Sequence, residues 1–555
     1  MAIDLHEILG GNQTLLTFLV VGVGYLIAGL KVGTIPLGST AGVLIAGLVF
    51  GHFGFEGDPN VGTIGFTLFI FSVGLQAGPR FFSVFLTDGA KYISLAAVVA
   101  ATALTVTLTL TSMLDLDYGI NAGLLAGALT STPTLAGAQD AIDKGLANLP
   151  AGVTAVEAVE RVSIGYAITY LFGTIGLILF IRLFPVALGI DLPAEARKLA
   201  RERGFDDEGR DAGTEQPVIR AYAVSPDIAD TTVGDIGKRQ DYRLVPQRIR
   251  RGDELLDPTP DLALQPGDIV SVIASLADHK LIQERLGAEV LDPALINYKI
   301  ETREIVVIQP DVSGRSLGEL HLPREYGCFP TALIRAAIDL PIGDDVALER
   351  GDRLVVTGER SRLDLLATRL GHVEEEVEQT DLLTFSFGIV AGLFIGTILV
   401  KVGELQIGLG SAGGLLLMGI VIGFLRSVNP TFGRVPAAAR FVFMELGLML
   451  FMAGVGLNAG GGIVEALGDV GPSLILAGIA VTLAPVLVGY LFGHFVLKLN
   501  PALLLGSLTG AMTSTPALNI ISDAAKSPVP ALGYAGTYTF ANVFLTFAGT
   551  LIVSL

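Results

Sequence analysis

Long apolar runs occupy most of this 555-residue chain, and one polar block near the middle divides them into two sets. Most runs have close to the ~20 residues that an α-helix needs to cross about 30 Å of hydrocarbon. They lie at 14–30, 36–52, 61–79, 91–113, 119–138 and 161–184 before the block, and at 382–401, 408–426, 441–459, 471–497, 501–520 and 531–555 after it. The pattern predicts an α-helical multi-pass membrane protein surrounded by membrane lipid.

The polar block lies between residues 191 and 380 and carries about two thirds of the charged side chains. We therefore expect it to be water-soluble. The net charge of −18 argues against nucleic acid as a partner, because binding nucleic acid needs clustered lysine and arginine. The single cysteine, Cys328, excludes an internal disulfide.

The two apolar sets repeat each other in order along the chain. The matched motifs are Leu37-Gly38-Ser39 with Leu409-Gly410-Ser411, Gly74-Leu75-Gln76-Ala77-Gly78 with Gly456-Leu457-Asn458-Ala459-Gly460, Thr130-Ser131-Thr132-Pro133 with Thr513-Ser514-Thr515-Pro516, and Gly165-Tyr166-Ala167 with Gly533-Tyr534-Ala535. A duplicated membrane unit interrupted by a soluble insert is the simplest account.

Charges between the runs indicate how the copies are oriented. If the fifth run of each set is a re-entrant hairpin, most basic residues fall on the side of the polar block, as the positive-inside rule requires. They are Lys31, Arg80, Lys91, Arg182, Arg426, Arg434, Arg440 and Lys498, with Lys401 as an exception. Six full crossings per half are the alternative, and they fit these charges less well. Five crossings plus a hairpin predict inverted copies and a cytoplasmic polar block.

The predicted architecture is therefore two inverted repeats of about five spanning helices plus one re-entrant hairpin each, with two small α+β cytosolic domains between them. The expected parts are an N-terminal membrane half at 1–190, a linker at 191–215, soluble domains at 216–290 and 300–372, and a C-terminal membrane half at 380–555.

A second repeat lies inside the polar block. Leu264–Ile273 matches Leu348–Thr357, and in each copy a Gly-Asp turn precedes a strand and then a short helical pattern ending in Leu-Gly. This pattern resembles the TrkA carboxy-terminal, or RCK-C, domain. The resemblance implies that such domains pair with one another and sometimes bind a small-molecule regulator.

The paired Thr-Ser-Thr-Pro motifs carry the most chemical information. Proline is favoured at the first helical position and serine or threonine just before it, so each motif predicts a helix start. The predicted helices run from Pro133 to about Ile142 and from Pro516 to about Ala524. If both starts lie midway across the membrane, their positive ends favour a small carboxylate, which the hydroxyls of Thr130, Ser131, Thr132, Thr513, Ser514 and Thr515 would help to bind. The alternative is a kink in an ordinary spanning helix.

Further polar residues in or near the runs are candidates for the same site. Arg80 could supply a fixed positive charge for a substrate carboxylate, or could anchor the cytoplasmic interface. The amides that could line the cavity, or bond between helices, are those of Gln76, Asn458, Asn519 and Asn542. Asp140 and Asp523 follow the two motifs at similar points and could meet water at the hairpin bases. No metal site and no cofactor are expected.

In this order of features the chain resembles the aspartate:alanine exchanger family of bacterial transporters. The resemblance implies exchange or export of small amino acids or dicarboxylates, such as aspartate for alanine or succinate, across the cytoplasmic (inner) membrane. It also implies alternating access by a hairpin-carrying bundle against the scaffold of a homodimer. One rival is an RCK-regulated ion channel, although no TVGYG-type filter is present. An enzyme is disfavoured because no P-loop or H-E-x-x-H motif occurs.

Overall fold

A computed structural model describes the chain in segments. They are residues 5–32, 35–86, 89–202, 217–228, 230–237, 244–296, 300–335, 338–340, 342–374, 380–402, 405–428 and 432–555. The chain forms two compact units, a membrane unit of Met1–Ala196 with Val377–Leu555 and a soluble unit of Arg197–Glu376.

The first half of the membrane unit is helical apart from one small hairpin. Its elements are α1 (Leu5–Gly10), α2 (Gln13–Ala28), β1 (Lys31–Val32), β2 (Ile35–Pro36), α3 (Ser39–His52), α4 (Pro59–Leu86), α5 (Gly89–Leu114), α6 (Ile120–Ala128), α7 (Thr132–Asp143) and α8 (Ala155–Ala187). Helix α9 (Leu192–Glu202) occupies part of the segment expected to be a linker, and residues 203–215 of that segment lie outside the described residues.

The soluble unit contains two copies of one α/β fold. The first copy consists of β3 (Pro217–Ala223), α10 (Val233–Gly237), β4 (Leu244–Arg251), β5 (Glu254–Leu256), β6 (Ile269–Ser275), α11 (Leu276–Leu286), β7 (Glu289–Val290) and α12 (Pro293–Ile296). The second consists of β8 (Ile300–Val307), α13 (Leu317–Leu320), α14 (Leu322–Tyr326), β9 (Phe329–Arg335), β10 (Ile338–Leu340), β11 (Arg353–Glu359), α15 (Arg360–Leu370) and β12 (Gly371–Glu374). The antiparallel strand orders, β5-β4-β6-β3-β7 and β10-β9-β11-β8-β12, are equivalent.

The second membrane half repeats the element order of the first and adds one short helix. Its elements are α16 (Leu382–Gly396), β13 (Leu399–Val402), β14 (Leu405–Gly408), α17 (Gly410–Val428), α18 (Ala437–Gly460), the added α19 (Ile463–Asp469), α20 (Gly471–Leu491), α21 (Pro501–Ala511), α22 (Thr515–Ala525) and α23 (Val529–Ser554). One π-helical turn, Phe492–Val496, extends α20.

The two copies are inverted relative to each other. Helix α4 and its repeat equivalent α18 pack antiparallel, since Gly57 lies against Leu457 while Gly65 lies against Gly447. The predicted fold class is confirmed. Among the described residues, six helices are long and apolar enough to cross a membrane. The first two runs of each half form α2, α3, α16 and α17, with a two-stranded hairpin between the members of each pair. Helices α2, α3 and α16 are shorter than the predicted runs, at 16, 14 and 15 residues, whereas α17 has 19.

Glycine pairs bring helices of opposite halves into backbone contact. A Cβ added at Gly47 of α3 would lie 2.8 Å from the Cα of Gly456 of α18, and one added at Gly74 of α4 would lie 2.9 Å from the Cα of Gly419 of α17. Small residues at helix crossings allow the close packing that associates helices in lipid. The glycines of the repeated motifs therefore join the two halves.

A buried ion pair explains the repeated Gly-Asp turn of the soluble unit. Arg335 donates from Nε and Nη2 to the two carboxylate oxygens of Asp352 at 2.8 and 2.7 Å, and the Asp352 side chain is 2% exposed. The first copy holds the same pair, Arg251 and Asp268. Each aspartate also accepts the backbone N–H three residues before it, which fixes the turn.

Asp352→Ala should lower the free energy of unfolding of the soluble unit by about 3 kcal/mol, because the variant removes the buried one of the two carboxylates that pair with the largely buried Arg335 guanidinium. The matched control is Asp364→Ala, which removes a 60%-exposed carboxylate that pairs with Arg303 and should cost less than about 1 kcal/mol. Pulse proteolysis of the full-length protein in urea measures both. Equal losses would contradict the structural role of the pair.

His279 of α11 is buried against β3. The Tyr222 hydroxyl is 2.8 Å from Nδ1 of His279, and Nε2 of the same ring is 2.8 Å from the Val218 carbonyl. Because a carbonyl only accepts, Nε2 carries the proton and Nδ1 accepts from the tyrosine. Burial lowers the pKa of His279 below its usual value.

This lowered pKa predicts that acid weakens the soluble unit. In the unfolded chain the histidine takes up a proton near pH 6.5, whereas the folded unit resists protonation until a lower pH. Stability should therefore fall as the pH drops below about 6.5 and level off once the folded state is also protonated. Pulse proteolysis between pH 7.5 and 5 should show this loss in the native protein and a smaller loss in His279→Gln. An unchanged pH profile in the variant would refute the assignment.

Candidate functional site

The α6–α7 and α21–α22 segments are re-entrant hairpins. Helix α6 runs parallel to the first half of α8, because Gly119 packs at Ala158 and Gly123 packs at Val162. Helix α7 runs parallel to the last part of α23, since Gly137 lies against Thr546 while the Ser554 hydroxyl donates to the Leu146 carbonyl just beyond α7. The chain thus returns to the side from which α6 started.

The same geometry holds in the second copy, where Gly506 packs at Pro530 and Gly510 packs at Tyr534. We name the two sides of the membrane unit by these starts. Face 1 is the side at which α6 and α8 begin, and face 2 is the side at which α21 and α23 begin. Asn500, at the start of α21, donates to the Glu195 carbonyl, so the chain leaves the first half at face 2.

The two hairpin tips meet inside the bundle. The Thr130 hydroxyl donates to the Met512 carbonyl at 3.1 Å, and the Thr513 hydroxyl donates to the Thr130 carbonyl at 3.4 Å. Both threonines have a left-handed backbone, with φ of 52° and 54°. This conformation is uncommon for a β-branched residue, so each tip is a strained turn.

Each tip starts a helix whose N-cap is a serine. Ser131 accepts from the Thr134 N–H at 3.3 Å, and Ser514 occupies the equivalent N-cap of α22. Pro133 and Pro516 take the second helical position, so the prediction that they occupy the first is wrong by one residue. The helix ends agree closely with expectation, because α7 ends at Asp143 and α22 at Ala525.

A tyrosine stands beside each tip. Thr132 Oγ1 lies 3.5 Å from the Tyr166 hydroxyl, and Thr515 Oγ1 lies 3.0 Å from the Tyr534 hydroxyl. The next turns carry Tyr170 and Tyr538, whose rings pack against those tyrosines. The sequence prediction missed all four. The signal was the Gly-Tyr-Ala-x-Thr-Tyr pattern, present at 165–170 and again at 533–538.

The two hairpins differ in exposure. Nearly all of α7 from Thr132 to Ile142 is buried, whereas α22 buries only Ala517, Ile521 and Ala525. One stripe of α22 is exposed and polar, formed by Thr515, Asn519 and Asp523. Such a stripe favours a water-filled crevice over lipid. The tips are therefore accessible along α22, from face 2.

The remaining candidates lie at different places. Asn542 of α23 is buried, and its amide donates to the Tyr538 carbonyl at 2.7 Å while Oδ1 has no partner among the described residues. Gln76 is half-buried on α4 and Asn458 is exposed on α18, so both belong to helices other than the hairpins. Arg80 is also on α4, and its side chain lies outside the described side chains.

The helices group into two bundles that each draw on both halves. Helices α2, α3, α4, α16, α17 and α18 pack together as a scaffold, and helices α5 to α8 and α20 to α23 form a hairpin bundle. In the described part of the chain, no group of three or more histidine, cysteine, aspartate or glutamate side chains is placed to hold a metal ion.

Inverted halves, broken helices that meet at mid-bundle and an exposed polar stripe along one of those helices are the features of a multi-pass membrane transporter. Comparison with known families agrees. The Asp-Al_Ex family, described as a predicted permease membrane region, matches residues 16–186 and 384–554, and the TrkA-C domain matches 219–287 and 303–371. The chain belongs to the Asp-Al_Ex permease family, which confirms the resemblance seen in the sequence. No solved structure matches it.

The contact between the tips predicts a disulfide across the midplane. In a Cys328→Ser background, Thr130→Cys with Thr513→Cys should cross-link on mild oxidation, since each of the two side chains contacts a backbone carbonyl of the other tip. Thr130→Cys with Lys144→Cys, which pairs the tip with the base of the same hairpin, is the matched control and should not cross-link. Peptide mass mapping reads out both. Tips that stay reduced while the control oxidises would refute this geometry.

Proposed function

We propose that this chain is a secondary transporter that exchanges or exports small carboxylates by alternating access. The substrates would be an amino-acid pair such as aspartate and alanine, or a dicarboxylate such as succinate. The membrane would be the bacterial cytoplasmic membrane, with the TrkA-C domains in the cytoplasm and no enzymatic step. The observation that carries the proposal is the meeting of two hairpin tips, each the start of a helix, inside the membrane unit.

Two helix starts favour a negatively charged substrate. The N-terminus of a helix carries unpaired amides and a positive partial charge, which stabilises an anion by about 0.3–1 kcal/mol when exposed and up to about 2 when partly buried. Helices α7 and α22 approach from opposite faces, so both positive ends lie near one point. The exposed Thr515 hydroxyl and the start of α22 are the groups that a substrate arriving from face 2 would reach first.

Other groups would add recognition around these ends. The Ser131, Thr132 and Ser514 hydroxyls line the same tips, and Arg80 remains a candidate for a second carboxylate. The free Oδ1 of Asn542 is an acceptor, so it would suit an ammonium group and would favour an amino acid over a dicarboxylate. Gln76, Asn458 and Asn519 would act, if at all, from the walls of the pathway.

The TrkA-C pair would regulate transport or hold two subunits together. The two domains pack through a small apolar cluster, in which Phe329 of the second domain contacts Val245 and Ile273 of the first. A ligand or a second copy of the chain that engages this unit could bias the transporter. We propose both that the protein is a homodimer and that a small molecule regulates it.

The test is exchange by purified protein in liposomes. Thr132→Val with Thr515→Val should reduce uptake of labelled aspartate or succinate at least about tenfold, because a lost hydrogen bond to a charged group costs roughly 1.5–3 kcal/mol. The control is Thr105→Val, whose exposed hydroxyl bonds only its own helix on α5. Normal exchange in the double variant would refute the site. If the native protein moved none of a panel of amino acids and dicarboxylates, the proposed substrate class would be wrong.

A further inference from the structure

One carboxylate fixes the first hairpin to the scaffold. Asp140, near the end of α7, places Oδ2 3.2 Å from the Ala412 N–H at the start of α17, and the Ser411 hydroxyl and amide face the same carboxylate. A Cβ at Gly410, whose φ is 63°, would collide with this oxygen. The glycine therefore permits both the turn before α17 and the close approach of the aspartate. The contact lies toward face 1, because α7 runs from the tip to that face.

The inverted copy contains the same parts but not the contact. Gly38-Ser39 begins α3 as Gly410-Ser411 begins α17, and Asp523 of α22 is the repeat equivalent of Asp140. Among the described residues, no atom lies within 4 Å of the position that a Cβ would take at Gly38. The N-cap of α3 is Gly38, which has no side chain to cap the helix, and Asp523 is exposed. Toward face 2, the aspartate and its helix start are separated.

The difference between Asp140 and Asp523 matches the difference in exposure between their helices. The helix that carries the engaged aspartate, α7, is buried, and the helix that carries the disengaged one, α22, is largely exposed. The two tips are hydrogen-bonded to each other, so α7 and α22 move together if the tip contact persists. Because the two helices point to opposite faces, a shift of the hairpin bundle that brings Asp523 to α3 takes Asp140 away from α17.

We propose that Asp140 and Asp523 are alternating latches of the transporter, each closing one face by binding the start of a scaffold helix. In the present conformation Asp140 holds face 1 closed on α17 and Asp523 leaves face 2 open. In the opposite conformation Asp523 holds face 2 closed on the Ser39 and Thr40 amides of α3. This proposal rests on the alternating access of the proposed function and assigns to it two positioning residues.

The two latches are unequal, because the start of α3 already has a carboxylate neighbour. The Ser39 hydroxyl donates to Glu445 of α18 at 2.8 Å, and the Tyr25 hydroxyl donates to the same carboxylate at 3.1 Å. The repeat equivalent of Glu445 on α4 is Thr63, so the start of α17 has no such competitor at that position. Competition between Glu445 and Asp523 favours the conformation observed, in which face 2 is open.

The first test compares two chemically identical substitutions, of which only one is expected to change the accessibility of the crevice. In a Cys328→Ser background with Asn519→Cys as the reporter, a soluble maleimide measures how often the crevice is open. Asp140→Asn removes the face 1 latch and should slow labelling at least about fivefold, a ratio typical of coupled conformational equilibria. Asp523→Asn, and the control Asp143→Asn on an exposed residue of the same hairpin, should not slow it. Equal labelling rates in Asp140→Asn and the control would overturn the proposal.

The second test traps each latch as a disulfide. It does not require that the protein tolerate asparagine at Asp140 or Asp523. Asp140→Cys with Ala412→Cys should cross-link in the resting protein and leave the Asn519→Cys reporter accessible. Asp523→Cys with Thr40→Cys should cross-link and protect the reporter. Failure of the second pair to oxidise while the first pair does would overturn the alternation.

Exchange assays on the reduced proteins separate this result from the proposed function. Suppose that both cross-links form, that only the second protects the reporter, and that the reduced protein exchanges no carboxylate. The substrate assignment then fails and the latches stand. If exchange is normal in the reduced protein and continues with either pair cross-linked, the latches fail and the transporter stands.

Discussion

A helix that stops inside a membrane must satisfy its backbone hydrogen bonds without water or lipid to help, and this requirement governs the centre of the protein. The two hairpin tips meet it together, because each threonine with a left-handed backbone bonds a carbonyl of the other tip. A single re-entrant tip would need water or another part of the protein as the partner of these carbonyls. The duplication of the membrane unit supplies that partner, because each tip is completed by the other.

Around this centre, the contacts inside the scaffold differ in kind from the contact between the scaffold and the hairpin bundle. The scaffold is joined by glycine pairs that bring backbones together, which leaves little freedom for sliding. The hairpin bundle meets the scaffold partly through a carboxylate on a helix start, a polar contact that can form and break. The proposed alternating access would use this polar contact as the boundary at which the hairpin bundle shifts against the scaffold.

The sequence predicted the features that depend on local pattern. Proline after Thr-Ser-Thr marks both helix starts, and the order of repeated motifs with the loop charges gives the inverted arrangement. It did not predict contacts between residues hundreds of positions apart. The Tyr534 hydroxyl beside Thr515, and Asp140 beside Ala412, depend on how one half packs on the other. Gln76 and Asn458 repeat at equivalent places and stay predictions as site residues, and the glycines beside them pack the scaffold helices.

The interlocking of the halves also constrains how the protein is made. Helix α3 finds its glycine partner on α18, and α7 packs on α23, so neither can reach its final place while only the first half has left the ribosome. While the soluble insert is being synthesised, the helices of the first membrane half stay in the bilayer with their glycine faces against lipid. The two membrane halves of this permease therefore associate late, after both have been inserted. A chain truncated after the soluble insert would contain one membrane half without its partner, which quality-control proteases would degrade.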